Sequence, residues 1–411
     1  MSPSRPRLLC VYQHAPTPGA PGIYRHRQYF RELVRRGFAV DLVSTPINYM
    51  TGDVPACYRR RPYTHESIDG IEHHWVWAAS GIHASVRRRA LNYATFATSA
   101  ALRGLTLPRP DVVLVSSPPL TVGALGPLLG RRFGAPWLLE VRDIWPESAA
   151  SVGWLAQESL LYRGLERLAH RLASGARAVI VPTPGLVDRA RAHGALSVEV
   201  IPGVVTDAAI TEDERESARR SLGVSPETCV FVYAGAVGVA NDLDTLVDAA
   251  GSLAPDIDAT IVIAGDGSAR EGLERRAKSL PPSRLRVLGA VPKDEVRSLL
   301  AASDVCLHLL RPDAVFATAQ PTKMLEYFGA HRPVITTVPG RPKELALAAG
   351  GAFAADAVEL ARELERWVAL SPDERHRCGE QAYAFAREEF GLEAATDRFE
   401  ALLRAVAGIP A

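Results

Sequence analysis

The sequence predicts an α/β protein built from two doubly wound, Rossmann-like domains facing a cleft, and three observations carry that prediction. Segments rich in Val, Ile and Leu alternate with helical segments along the whole chain. The strand segments, such as Val112–Ser116 and Cys229–Tyr233, are near-continuous apolar runs, the pattern of strands buried on both faces of a parallel sheet. Finally, 411 residues exceed what one compact core holds, and the alternation restarts after a shift from GVVTDAAI to TEDERE at residues 203 to 215. The expected division is 1–205 and 206–390, with a C-terminal helix over about 391–411 packing back on the first domain.

The elements follow in order. Leu8–Gln13 reads as the first strand, then a Gly/Pro-rich loop and a helix over Tyr24–Arg36. Phe38–Ser44 is the second strand. Residues 45 to 83 read as irregular, with one strand around His74–Trp77. A helix spans Ser85–Leu105. Strands Val112–Ser116, Trp137–Val141 and Ala178–Pro182 alternate with helices Leu120–Phe133 and Ser159–Ala173, and Val198–Pro202 closes this half. The second half offers strands Cys229–Tyr233, Thr260–Ala264, Arg286–Leu288, Val305–Leu310 and Val334–Val338. Ser371 to Ala407 is helical with one break at Gly391.

Composition narrows the function. Forty-seven Lys plus Arg against 46 Asp plus Glu leave a formal net charge of +1, without the basic excess of a nucleic-acid binder. The hydrophobic share of 47% and charged share of 23% fit a soluble globular chain. Five scattered cysteines without a C-x-x-C pair imply reduced thiols in a cytoplasmic protein and no structural zinc. The apolar run after MSPSRPR is too short for a signal peptide. Val112–Gly130 lacks charge, but Ser116-Ser117-Pro118-Pro119 and three further breakers speak for strand, turn and helix.

Several motifs could carry chemistry. In QPTKMLEYFGAHRPVI, Pro321 suits a first helical position, and Lys323 and Glu326 share one face near the helix start. Free N–H groups and the positive dipole end there suit an anion, and Glu326 suits hydroxyls one turn on. A nucleotide carries both a diphosphate and a vicinal diol. An ordinary surface helix with an i,i+3 ion pair is the plainer alternative. Two glycine turns follow strands on the same expected edge, Gly235 with Gly238 and Gly265-Asp266-Gly267, and their convergence favours a nucleotide site. In EVRDIWPES, Arg142 and Asp143 project toward the cleft from a strand end, where charges are costly unless paired or used. HAPTPGAPGIYRH places Gly19 and Gly22 after the first strand, though not in dinucleotide-fingerprint spacing. Asp242-x-Asp244 and Asp256-x-Asp258 read as cap and turn residues rather than metal ligands. The histidines suggest no metal site, and neither a G-x-S-x-G nor a P-loop occurs. Arg87, Arg88, Arg89 and Arg103 share a helix with many apolar positions, a solvated face or a contact for an anionic membrane.

Taken together, RPDVVLVSSPPLTVG, EVRDIWPES, YAGAVGVANDLDTLVDAA, IAGDGS, VLGAVPKDEV and QPTKMLEYFGAHRPVI resemble the retaining nucleotide-sugar glycosyltransferases of family 4, with the GT-B fold. The nearest echo is the amino-sugar (fucosamine-type) branch. The resemblance implies a donor-binding second domain, in which Glu326 holds the ribose hydroxyls. Lys323, Thr322 and the helix start would hold the diphosphate. The turn around Gly289 and Val291 would face the base, and Gly235, Gly238, Gly265, Asp266 and Gly267 would complete the site. The first domain would bind the acceptor, with Gly19 and Gly22 near donor phosphate and acceptor, Arg142 on the sugar nucleotide and Asp143 lining the acceptor side. Asp143, Lys323 and Glu326 would be the catalytic candidates.

Two departures qualify the match. The glutamate usual eight residues before Glu326 is Thr318 here, and the turn from Ala236 to Asn241 lacks the usual Arg and Lys. The amino-sugar branch shares both features. Neutralising the diphosphate then falls to Lys323, backbone amides and Arg311 or Lys343. The implied function is metal-independent transfer from a nucleoside-diphosphate sugar to a glycan, a lipid-linked glycan or a small molecule. No cofactor beyond the sugar nucleotide is expected. A sugar-nucleotide epimerase and a non-catalytic GT-B scaffold are the alternatives.

Overall fold

The computed structural model describes residues 5–20, 24–151, 155–312, 314–318 and 321–410. These divide into two compact units, one running to Pro202 and taking in the chain from Leu392 onward, the other Gly203–Gly391.

The first unit holds an eight-stranded sheet, made of β1 (Arg7–Tyr12), β2 (Ala39–Ser44), β3 (Tyr63–Ile68), β4 (Ile71–Val76), β5 (Val112–Ser117), β6 (Trp137–Val141), β7 (Ala178–Val181) and β8 (Val198–Val200). Their order is β3-β4-β2-β1-β5-β6-β7-β8, parallel except for β3 against β4. The order reverses direction at β1, between β2 and β5. In such sheets a crevice opens at the carboxyl ends on either side of that point. Every residue of β5 is buried, as a central parallel strand requires.

The β3–β4 hairpin is a departure from the irregular segment expected at residues 45 to 83. Ile68 pairs with Ile71 across Asp69-Gly70, whose φ angles are 55° and 76°. Two consecutive left-handed residues make the tight turn that matches strand twist, and Asp-Gly is its sequence signature. The Leu120–Phe133 segment is also split, into helices Leu120–Gly123 and Leu125–Phe133. Helix Leu392–Ala407 lies on helix Arg25–Arg35: Tyr29 and Phe399 rings meet at 5.6 Å, and Arg36 reaches Asp397 at 2.6 Å.

The second unit holds a six-stranded sheet of β9 (Cys229–Ala234), β10 (Ala259–Ala264), β11 (Leu285–Gly289), β12 (Val305–His308), β13 (Val334–Thr336) and β14 (Ala352–Phe353). The order is β11-β10-β9-β12-β13-β14, all parallel, and it reverses between β9 and β12. The TEDERE stretch proves to be a helix start, because Thr211 and Glu214 form a reciprocal capping box on helix Glu212–Leu222. Arg215 and Arg219 from that helix close on buried Asp304, which also accepts from Val230 N. Val205 N bonds Phe390 O and Ala208 N bonds Gly329 O, so the segment after Pro202 is held on the second unit.

Candidate functional site

The second unit gathers most of the predicted residues at one place, the carboxyl edge around the β9/β12 reversal. Helix Thr322–Gly329 buries Met324, Leu325, Tyr327 and Phe328 and leaves Thr322 and Glu326 exposed. Tyr327 fixes this helix to β9: its hydroxyl donates to Ala234 O and accepts from Ala234 N, both at 3.1 Å. One turn earlier, Lys323 therefore lies directly over the first glycine turn. A β-carbon at Gly235 would overlap Lys323 Nζ. That ammonium donates to Tyr233 Oη at 3.0 Å and sits 4.6 Å from the centre of the Tyr233 ring. Tyr233 in turn donates to Ala236 O at 2.7 Å, and burial keeps its phenol protonated.

Burial also pulls Lys323 down to about 8, with Glu326 partly opposing the shift. His308, at the end of β12, is pushed down to about 3 by burial and by Lys323, so it stays a neutral ring bonded to Thr336 Oγ1 at 2.9 Å. Lys323 is thus a partly desolvated cation resting on a phenol, and an arriving anion would offset the cost of its burial.

The glycine turns interlock beneath it. Gly235 N donates to Ala264 O at 2.8 Å, Gly265 N to Gly289 O at 2.7 Å and Val237 N to Asp266 O at 2.9 Å. Gly265 has φ 151°, and a β-carbon there would overlap Gly235 O, so only glycine lets the two turns touch. Asp266 spends its carboxylate on the turn itself, accepting from Gly267 N at 2.8 Å and facing Arg270 at 3.6 Å. Gly238 N is held by Asn241 Oδ1 at 3.1 Å. Val291 packs partly buried against the core cluster around Val262 and Leu299. Of the two supplementary cations, Lys343 lies 4.2 Å over the Phe353 ring, whereas Arg311 joins the uncharged turn through Arg311 N to Ala240 O at 2.9 Å. Arg311 lines a concavity there with Gly238 and Val239.

In the first unit, Arg142 donates to Tyr12 Oη at 3.2 Å and Pro118 O at 3.0 Å, with its guanidinium 4.6 Å over the Tyr12 ring. Asp143 is exposed beside it. Behind them Glu140 is buried against Arg25 at 3.0 Å, His26 at 2.6 Å and Ser116 at 2.5 Å. Burial would raise the Glu140 carboxyl, but the adjoining His26 and Arg25 hold it well below the usual range. The charge cost foreseen for EVRDIWPES is therefore met by a built network. Gly19 is exposed at φ 77°, while Gly22 lies outside the described residues. Arg87 and Arg88 are exposed on the first turn of helix Val86–Gly104, which Ser85 caps. Among the described residues no group of three or more His, Cys, Asp or Glu could hold a metal ion, and no helix is long and apolar enough to cross a membrane.

Sequence reasoning missed Tyr233 and Tyr327. The spacing held a signal, since Tyr327 stands four residues after Lys323 and shares its face.

Two doubly wound units with a cationic helix start at the reversal of the second sheet define the class. The chain matches the family described as "Glycosyl transferase 4-like domain" over residues 22–203, and "Glycosyl transferases group 1" over 228–369. It belongs to the GT-B glycosyltransferases of the family 4 type. It is 28% identical over 253 residues to the probable glycosyltransferase WbjE of Pseudomonas aeruginosa, covering 59% of each chain. It is 30% identical over 187 residues to a GDP-mannose-dependent phosphatidylinositol dimannoside mannosyltransferase of Mycobacterium tuberculosis, covering 45% of this chain and 46% of that one. The aligned stretch thus spans less than two thirds of either relative. Among solved structures, sucrose-phosphate synthase of Thermosynechococcus elongatus superposes with a TM-score of 0.73 at 16% identity, covering 98% of this chain and 99% of that one. Anabaena Alr3699/HepE in complex with UDP and glucose gives 0.70 at 15%, covering 98% and 100%. These two likenesses establish the shared fold.

Proposed function

We propose that the protein is a retaining glycosyltransferase that moves a sugar from a nucleoside-diphosphate sugar to a hydroxyl or other nucleophile of a glycan, lipid-linked glycan or small molecule. The donor binds the second unit and the acceptor the first. The observation that carries this reading is Lys323, a partly buried ammonium fixed over Gly235 at the reversal of the sheet. The UDP held by HepE and the GDP-mannose dependence of the mycobacterial relative support a sugar nucleotide as donor.

In the transfer, the bond from the anomeric carbon to the diphosphate oxygen breaks, and negative charge grows on the diphosphate. Lys323 and the helix N–H groups stabilise that charge from fixed positions, with Arg311 or Lys343 as the supplementary cation. The acceptor oxygen bonds to the anomeric carbon on the face the diphosphate leaves, and its proton passes to a phosphate oxygen. Glu326 holds the ribose hydroxyls, and the Gly289–Val291 turn faces the base. No metal is required in this scheme. The amino-sugar branch belongs to the reading through Thr318 and the uncharged 236–241 turn, as does a cytoplasmic location. With a lipid-linked acceptor, Arg87, Arg88 and Arg89 rest on the inner membrane face.

The test is a panel of UDP-, GDP- and dTDP-sugars, read by thermal shift and by acceptor-dependent release of nucleotide. A chelator should leave the rate unchanged, and proton NMR should find the donor's anomeric configuration kept in the product. A panel in which no sugar nucleotide binds would overturn the proposal. Liposome co-sedimentation of wild type against an Arg87/Arg88/Arg89→Ala variant tests the membrane contact, and equal pelleting counts against it.

A further inference from the structure

At the reversal of the first sheet stands an aromatic cluster that the reading above does not use. Gln13 follows β1, is fully buried, and accepts at its carbonyl from Ser44 Oγ at 3.1 Å. Its side-chain amide donates to Asn92 Oδ1 at 2.7 Å, and Asn92 Nδ2 donates to Ala79 O at 2.6 Å. These bonds fix the register of helix Val86–Gly104 against the strand end, and so fix Tyr93 beside His14. The two rings meet edge to face at 6.3 Å. Tyr49 approaches the His14 ring at 4.5 Å, tilted by 46°. The loop carrying Tyr49 is held by Asn48 Oδ1, which accepts from Met50 N at 2.8 Å and Thr51 N at 3.1 Å, and by His83 Nε2 bonding Tyr49 O at 2.8 Å. Tyr49 still leaves 46% of its surface exposed.

Neither ring nitrogen of His14 has a hydrogen-bond partner among the described residues, although three elements converge to hold the ring in place. Burial and Arg142 keep the imidazole uncharged, and burial pushes the Tyr93 phenol up to about 12. The three side chains of the nook are therefore uncharged and aromatic, with one N–H and one lone pair on offer, while Arg142, the nearby cation, spends donors on Tyr12 Oη and Pro118 O. That set matches hydroxyls, which both donate and accept. A phosphate or carboxylate would call for a cation instead. The exposed part of the Tyr49 ring suits the apolar C–H face of a sugar ring.

We propose that His14, flanked by Tyr49 and Tyr93, is the acceptor-positioning residue, and that the acceptor presents a neutral, hydroxyl-bearing ring of the sugar type at this nook. The assignment rests on reading the first unit as the acceptor side. His14 orients the acceptor hydroxyls through hydrogen bonds and takes no proton in the transfer.

The test uses the full chain and methyl glycosides of glucose, mannose, galactose and N-acetylglucosamine, followed by saturation-transfer NMR. At least one glycoside should bind wild type. H14F keeps an aromatic ring without its nitrogens, and Y49A removes the exposed tyrosine ring. Each should weaken that glycoside roughly ten-fold or more, the loss of one or two hydrogen bonds or a stacking contact. Nucleotide-induced thermal shifts should stay unchanged in both. Equal glycoside binding by wild type and both variants would overturn the assignment, and so would a wild type that binds none of the four. A missing nucleotide shift in wild type counts against the donor site alone, so the two failures are told apart.

Discussion

Lys323 and Gly235 occupy each other's space: the ammonium of one lies where the β-carbon of the other would be. The missing side chain of Gly235 leaves the space this ammonium fills, and Tyr327 holds the two elements together through Ala234.

Losing either member should therefore weaken the donor in the same way. K323A should lower sugar-nucleotide affinity about ten-fold or more, the scale of one charge-assisted hydrogen bond. G235A keeps the charge but displaces it, and should cost nearly as much. The double variant should lose little beyond either single one, because both remove one interaction. Isothermal titration of the three variants checks this, and additive losses would count against a shared cause.

Lys323 also sets a pH dependence. Its value of about 8 in the folded protein lies below the ordinary 10.5. Between these values the unfolded chain holds the proton more tightly, so unliganded stability should rise with pH across that window. Diphosphate binding has the opposite sign, since it favours the ammonium, and should weaken as pH climbs through about 8. K323R stays charged throughout and should flatten the fall. Titration calorimetry in a pH series reads this out, and an equally steep fall in K323R would show that another group is responsible.

Glu326 projects from the exposed face of the same helix. E326A should reduce affinity for a ribonucleoside diphosphate roughly ten-fold. It should leave the 2′,3′-dideoxy nucleotide unaffected, because the lost partners are the ribose hydroxyls. Equal losses for both nucleotides would remove Glu326 from the ribose.

Glu140 makes a claim on stability rather than binding. Its carboxyl is held down by His26 and Arg25, so the stability it lends is present above the ordinary glutamate value of about 4.3 and is lost as pH falls toward the depressed folded one. E140A, which strands Arg25, should destabilise the first unit by about 3–5 kcal/mol. Acid and urea unfolding of wild type and E140A would check both statements.

The sequence was explicit where one residue's chemistry sufficed. Apolar runs marked most strands, Pro321 and Gly329 bounded helix Thr322–Gly329, and the glycine turns lay where two backbone turns approach closely. It was less open at the β3–β4 hairpin, where Tyr63–Ile68 alternates between exposed and half-buried positions and only Asp69-Gly70 signals the turn. The two-residue β14 carries too short a pattern to read. His14 looked uninformative because its meaning depends on Tyr49 and Tyr93, which stand 35 and 79 positions further along the chain.

By itself the amino-acid order determined two α/β halves and a cationic helix start, because periodicity and capping are local and survive without neighbours. Tertiary structure alone decided that Lys323 would sit on Gly235 and Tyr233, at a pKa near 8, and that an uncharged His14 would meet two tyrosine rings. Burial and contact between distant segments set those properties, and neither is written in any single stretch of chain.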